Sequence, residues 1–455
     1  MKGPSCLTPY PQGSIREIAS LCLPMMLTAL SGNLMFFCDR IILGHYSLNA
    51  MNAAAIATTA SVPFIFAAYA ISAIAEVFVG QLNGAQKYKD LGKPVWQMIW
   101  FSCFSMLFFI PAGLYGGPFI LSEPYLKEGL SYYKWIMSTG YIHAFHAALA
   151  SFFIARGQVK LTMGVTILGN VINLGLDVIL IFGIPNFFDP MGAKGAAIAT
   201  VLSELVPVGI LFGIFINASH RKNFHTYYWK LDISLFKECF KIGIPNALAH
   251  IVTMSAWYVI VTFMSRLSPE HVTVFQIGQT IFILFTFFAD GIQKGVIALA
   301  SNAIGEQAFQ KIPRIFLSSI KLHFLITLTL AIPFLWFPET IIHLFLGDPH
   351  HTLATSIILE QGKVVLLYVW MFLFFDDLIW IIAGVLTAGG DTKFIMVMSI
   401  IGTWCFGVLP IYFGVFLKQG NPITAWQIVA IQNFITLIFF IRRYFQKKWK
   451  VAVVS

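Results

Sequence analysis

Seven acidic residues fall inside long apolar stretches of this 455-residue chain: Asp39, Glu76, Asp177, Glu204, Asp290, Asp376 and Asp377. An ionised carboxylate in a hydrocarbon layer costs on the order of 3 kcal/mol or more unless it faces protein or water, so each is a candidate for handling an ion or a substrate. Asn173 and Asp177 are four residues apart, as are Thr200 and Glu204, and such spacing puts both members on one helix face. Carboxylate, amide and hydroxyl oxygens suit a hard cation such as Na⁺. Two carboxylates brought together also suit proton carriage. Arg40 does not neutralise Asp39, because adjacent helical residues do not face each other.

The other acids carry alternatives. Glu76 is expected to reach water at the end of its helix. Asp290 precedes Lys294 by one turn, which allows either mutual neutralisation or a substrate role. Asp376 and Asp377 cannot share one face, so one of them is expected to look into a cavity. His143 and His146 read as hydrogen-bonded residues of a helix bundle. A polar network that merely joins helices is the competing account throughout, at about 0.6 kcal/mol per bond on average.

These residues need apolar elements around them, and the composition supplies them. The chain is 58% hydrophobic and 11% charged, with 44 Phe and a mean hydropathy of +0.79. Soluble domains are about a quarter charged, so a soluble enzyme is excluded. Continuous apolar runs, not weak alternation, exclude a β-barrel. Twelve runs can be drawn: 15–43, 48–81, 94–116, 130–154, 161–184, 193–216, 236–265, 272–304, 315–337, 355–386, 394–417 and 424–441. Placing the N-terminus inside puts 21 of the 29 Lys and Arg on the cytoplasmic side and leaves only Lys294 well inside a run. The net charge of +9 is thus topological, and no nucleic-acid partner is expected. The six Cys form no metal or redox motif, and no nucleotide-binding or hydrolase signature occurs in a usable context.

The chain repeats itself. Pro24 and Pro245, Gly84 and Gly305, and Gln86 and Gln307 are separated by one constant offset. Further on, RGQVK at 156–160 meets GGDTK at 389–393 at a slightly larger offset. Two halves of six helices each, related by an axis along the membrane normal, are therefore predicted.

CLPMM followed by Asp39 in CDRIILG, VGQLNGAQ, NLGLDVILIFG, GAKGAAIAT and IPNAL, in this order and spacing, resemble the multidrug and toxic compound extrusion (MATE) transporters over about residues 14–445. The resemblance implies an all-α membrane protein of twelve transmembrane helices in two pseudo-symmetric lobes forming a V. It implies drug/cation antiport by alternating access, coupled to H⁺ or Na⁺, with the cation at Asp39, Asn173, Asp177 and Thr200. Glu204, Asp290, Asp376 and Asp377 are additional candidates for coupling or for the substrate cavity. Helix 7 carries Trp257 and Tyr258 where some branches carry an acid, so Asp376 or Asp377 would have to replace part of a second site.

The expected organisation is a cytoplasmic tail (1–14), an N-lobe (15–216), a linker (217–235), a C-lobe (236–445) and a basic cytoplasmic tail (446–455). The expected partners are a small organic substrate, the coupling cation and membrane lipids. No cofactor beyond that cation is expected, and the protein is expected to be a monomer of an inner or plasma membrane with both termini cytoplasmic. A flippase for lipids or lipid-linked glycans in the same superfamily is the alternative, and a channel or scaffold the third reading. Seven intramembrane acids against one Lys favour cationic or neutral cargo.

Overall fold

The structure, a computed structural model, describes residues 7–121, 123–346 and 353–453. Lys2 and Cys6 lie outside the described residues. The described residues fold into twelve long helical elements: α1 (Ile15–Tyr46), α2 (Leu48–Gly84), α3 (Gly92–Tyr115), α4 (Glu123–Ser138, resumed as Tyr141–Ile154), α5 (Val159–Phe182), α6 (Ala193–Phe215), α7 (Ile233–Leu267), α8 (Pro269–Gly305), α9 (Ile312–Trp336), α10 (Leu353–Ala388), α11 (Thr392–Phe416) and α12 (Pro422–Phe445). Eleven of them are long and apolar enough to cross a membrane as single helices. The exception is α4, which is divided at Thr139–Gly140 into pieces of 16 and 14 residues. A side chain on Gly140 would meet the Phe109 ring at 2.6 Å, so close packing of α3 coincides with the break.

Helix starts follow local chemistry. Ser14, Ser47, Asp232, Ser268 and Asn421 each accept a backbone N–H from the first turn that follows them. Pro269 and Pro422 occupy the first helical positions of α8 and α12, where no N–H is needed. The polar stretch 217–235 is ordered by docking. It forms a short helix (Ala218–Phe224) and then lies along α3, where Trp96 donates to the Thr226 carbonyl and Trp100 to that of Trp229, both at 2.8 Å.

The apolar core divides into three. One cluster draws buried residues from both halves, among them Cys22, Met26, Phe78, Phe152, Ile292, Val296, Leu386 and Trp449. A second lies wholly within α1–α6 (Leu43, Ala54, Tyr132, Ala196), and a third within α7–α12 (Ile260, Phe275, Val369, Trp426). The shared core sits at the end that carries both termini, and the separate cores sit towards the other end. Two six-helix lobes joined at one end and parted at the other make a V.

The joint is built from the repeat. Gly80, Gln81 and Gly84 of α2 are the repeat counterparts of Ser301, Asn302 and Gly305 of α8. A Cβ on Gly84 would collide with the Asn302 carbonyl oxygen, and one on Gly305 would collide with that of Gln81. The two glycines thus make the same contact from opposite lobes, and any side chain there would hold the helices apart. The Gln81 amide donates to the Ala388 carbonyl at the end of α10, and the Asn302 amide to the Ala155 carbonyl at the end of α4, both at 2.8 Å. Ala155 and Ala388 are themselves counterparts, each standing immediately before or within one residue of the RGQVK and GGDTK turns that repeat.

Candidate functional site

Three of the four residues assigned to the cation site meet. Asp39 on α1 is 8% exposed, and Asn173 and Asp177 on α5 are fully buried. Oriented to match its neighbours, the Asn173 amide donates to Asp39 Oδ1 at 2.9 Å and to Asp177 Oδ2 at 3.3 Å. The one amide thus bridges the two carboxyl groups. Two acids bridged by one amide suit a shared proton or a cation, since two ionised carboxylates side by side repel each other. Asp177 Oδ1 is buried with no partner among the described residues. Arg40, next to Asp39, is exposed, as the helix geometry predicts.

Thr200 is not bonded to this pair. Its hydroxyl donates to the Ala196 carbonyl of its own helix at 3.0 Å, although its oxygen can still accept. Sequence reasoning missed Tyr132 of α4. It is buried, hydrogen-bonded to Thr58 of α2 at 3.2 Å and within electrostatic reach of Asp39 and Asp177. No spacing rule links a residue of α4 to α1 and α5, so nothing in the sequence marked it.

Glu204 is the centre of a separate group. One carboxylate oxygen lies 2.7 Å from His146 Nδ1 and 3.3 Å from His143 Nδ1. The two histidines are the hydrogen-bonded bundle residues expected from the sequence, and their partner is the acid one helical turn beyond Thr200.

In the other lobe the adjacent acids part company. Asp376 accepts from Trp380 at 2.9 Å and from Asn433 of α12 at 3.1 Å. Asp377 faces α9, where His323 Nδ1 lies 3.2 Å from its Oδ2 and 3.0 Å from the Thr327 hydroxyl. Each is held by a different helix of its own lobe, and Asp376 is half-buried whereas Asp377 is buried. His323 Nε2 and Asp377 Oδ1 are buried with no partner among the described residues. His323, fully buried, was not singled out from the sequence.

Glu76 also departs from expectation. It does not reach water but is 4% exposed, with one oxygen unpartnered among the described residues. The reason is that α2 continues past it into the joint between the lobes. Asp290 and Lys294 pair at 2.8 Å, as their spacing allows, and the Lys294 ammonium also lies 5.6 Å from the Tyr69 ring across the joint.

Buried acids placed on separate helices inside two repeated six-helix lobes define a class of polytopic membrane protein that handles ions or small molecules within its lobes. A family model described as MatE matches residues 24–179 and 245–413, and the chain belongs to that family. It is 25% identical over 448 residues to a probable multidrug resistance protein NorM of Thermotoga maritima, covering 95% of this chain and 93% of the relative. It is 24% identical over 404 residues to a probable multidrug resistance protein NorM of Bacillus thuringiensis, covering 87% of each. Among solved structures, a MOP superfamily transporter from Pyrococcus furiosus superposes with a TM-score of 0.85 at 18% identity over 98% of each chain. The outward-facing conformation of a multidrug resistance MATE family transporter gives 0.85 at 17% identity, again over 98% of each.

Proposed function

We propose that the protein is a secondary antiporter that exports small organic, often cationic, compounds in exchange for H⁺ or Na⁺ by alternating access between its two lobes. The observation that carries this reading is the buried pair Asp39–Asp177 bridged by Asn173, since such a pair must be neutralised by a proton or a cation and can respond to a gradient of either. Support comes from the relatives named as multidrug resistance proteins and from a solved MATE family transporter with the same fold. In this reading Thr200 completes the cation site through its accepting oxygen, and Glu204, Asp290, Asp376 and Asp377 are secondary coupling or substrate groups. The end bearing the termini is taken as cytoplasmic, which agrees with the distribution of Lys and Arg. The protein then works as a monomer in a plasma or inner membrane.

Coupling requires that the cation bind the two states of the lobes unequally. The test is efflux of a fluorescent organic cation from proteoliposomes under imposed H⁺ or Na⁺ gradients. Wild-type protein should export dye under one of the gradients, and Asp39→Asn should abolish that response. Full gradient-driven efflux by Asp39→Asn would overturn the assignment.

A further inference from the structure

The C-terminal segment 446–453 does not hang free below α12. Trp449 is 2% exposed and stacks on Tyr444, with ring centroids 5.8 Å apart. Its backbone fills the space over Gly389, where any Cβ would collide with the Trp449 carbonyl oxygen. Further on, the Val453 N–H donates to Gln81 Oε1 at 2.7 Å. The same carboxamide uses its nitrogen to bond the Ala388 carbonyl at 2.8 Å. One side chain of α2 is thus gripped at both ends by the opposite half of the molecule, once by α10 and once by the segment that follows α12. Gln81 is 1% exposed, so water does not compete for either bond.

Among the described residues, the opposite lobe uses its counterpart differently. Asn302, the repeat partner of Gln81, donates to Ala155 but accepts from Asn83 instead of a terminal segment. At the equivalent surface the N-terminal segment is present, since Leu7 lies over Gly157 as Val453 lies over Gly390, its counterpart in the repeat. Both glycines have positive φ, 75° and 77°, a turn conformation that favours glycine.

We propose that the segment 446–453 is a latch on the closed end of the molecule, acting through the Val453–Gln81 hydrogen bond. Gln81 is a positioning residue whose carboxamide it holds against Ala388. Lobe separation must break the Gln81–Ala388 and Asn302–Ala155 bonds, and the latch resists the first of them. The latch rests on the alternating-access reading, because it concerns the step in which this end opens.

Cys22 supplies a native reporter. It is fully buried in the joint, its thiol lies 3.8 Å from the Ile292 carbonyl, and a Cβ on Gly295 would collide with its sulfur. Opening of the joint exposes it. The experiment uses the full chain, purified in detergent, with the other five cysteines replaced by serine, and follows the rate at which a charged maleimide labels Cys22. Val453→Pro removes the N–H and keeps an apolar side chain, whereas Val453→Ala keeps the N–H. Labelling at least five-fold faster in Val453→Pro than in wild type and Val453→Ala is expected. Equal rates in all three, or equal acceleration by both substitutions, would overturn the latch. Monodisperse elution of each variant confirms folding. No substrate enters this assay, so failure of the dye-export reading and failure of the latch are seen separately.

Discussion

Asn433 on α12 donates to Asp376 on α10 at 3.1 Å, and the matching place in the other lobe is held by Glu204 on α6 and His143 on α4, 3.3 Å apart. His143 and Asp376 are separated by the same offset as the RGQVK and GGDTK turns, and Glu204 and Asn433 by the same offset as the starts of α6 and α12. The repeat therefore preserves a polar contact between the fourth and sixth helix of each lobe while exchanging its chemistry. In one lobe the acid is on the sixth helix and faces imidazoles. In the other it is on the fourth and faces an amide and an indole.

The first prediction concerns Glu204. Glu204→Leu takes the acceptor from His143 and His146, which are only partly solvated. Leaving such groups unsatisfied costs about 1–3 kcal/mol each where they are buried. Glu204→Gln keeps an acceptor oxygen at the same reach and should cost less than half as much. Denaturant unfolding in detergent should rank wild type above Gln and Gln above Leu. A Leu variant as stable as wild type would show that the group is not held by these bonds.

The second concerns His323. With His323→Leu the buried Asp377 faces apolar packing, and a buried charge stripped of its partner costs about 3–5 kcal/mol. Asp377→Asn alone removes the charge and should cost less. The double variant His323→Leu/Asp377→Asn should recover part of the loss, giving a coupling energy on the order of 1–3 kcal/mol in a double-mutant cycle. Strictly additive losses would mean that the contact between His323 Nδ1 and Asp377 Oδ2 carries no energy.

The third concerns Asn173, whose amide touches both acids of the paired site. Asn173→Ala leaves Asp39 and Asp177 facing each other without a donor, and Asn173→Asp adds a third acid. Gradient-driven dye efflux should fall about tenfold in the first, a barrier change of about 1.4 kcal/mol, and further in the second. Dye binding to the detergent-purified variants should change less than twofold, because the site is buried in one lobe. Efflux at the wild-type rate in either variant would remove Asn173 from the coupling site.

The legible part of this molecule was what periodicity and spacing encode. Long apolar runs marked the spans, because each helix must satisfy its own backbone in lipid. The constant offset between the halves marked the repeat, because Gly84 and Gly305 have no substitute where their helices cross. Asn173 and Asp177 were found together because they are on one helix, and Asp39 because it is an acid in an apolar run. Tyr132 and His323 were not, because their partners are on other helices and no spacing rule reaches across a bundle. Glu76 was misplaced because hydropathy cannot tell a helix end in water from one packed against a second lobe. The fate of Asp376 and Asp377 turned on which neighbours α9 and α12 presented, which the sequence of α10 does not contain.

The last prediction tests the joint itself. A Cβ on Gly84 would fall well inside contact distance of the Asn302 carbonyl oxygen, a backbone atom that no rotamer change can move. Atoms in contact need about 3.5 Å, so Gly84→Ala must push α2 and α8 apart by about 1 Å or more. The hydrogen bond from Asn83 to Asn302, 2.7 Å long and alongside it, would be stretched with it. Gly305→Ala strikes the Gln81 carbonyl in the same way and should behave alike, because the repeat makes the two sites equivalent. Gly164 on α5 has nothing within 4 Å of the same position, so Gly164→Ala is the control. The helix propensity of alanine should stabilise that control by up to about 1 kcal/mol. Both joint variants should label Cys22 faster than wild type and lose at least tenfold in dye export, while Gly164→Ala keeps wild-type values of each. Export by Gly84→Ala at the wild-type rate would show that this packed arrangement of α2 and α8 is not a state the transport cycle must visit.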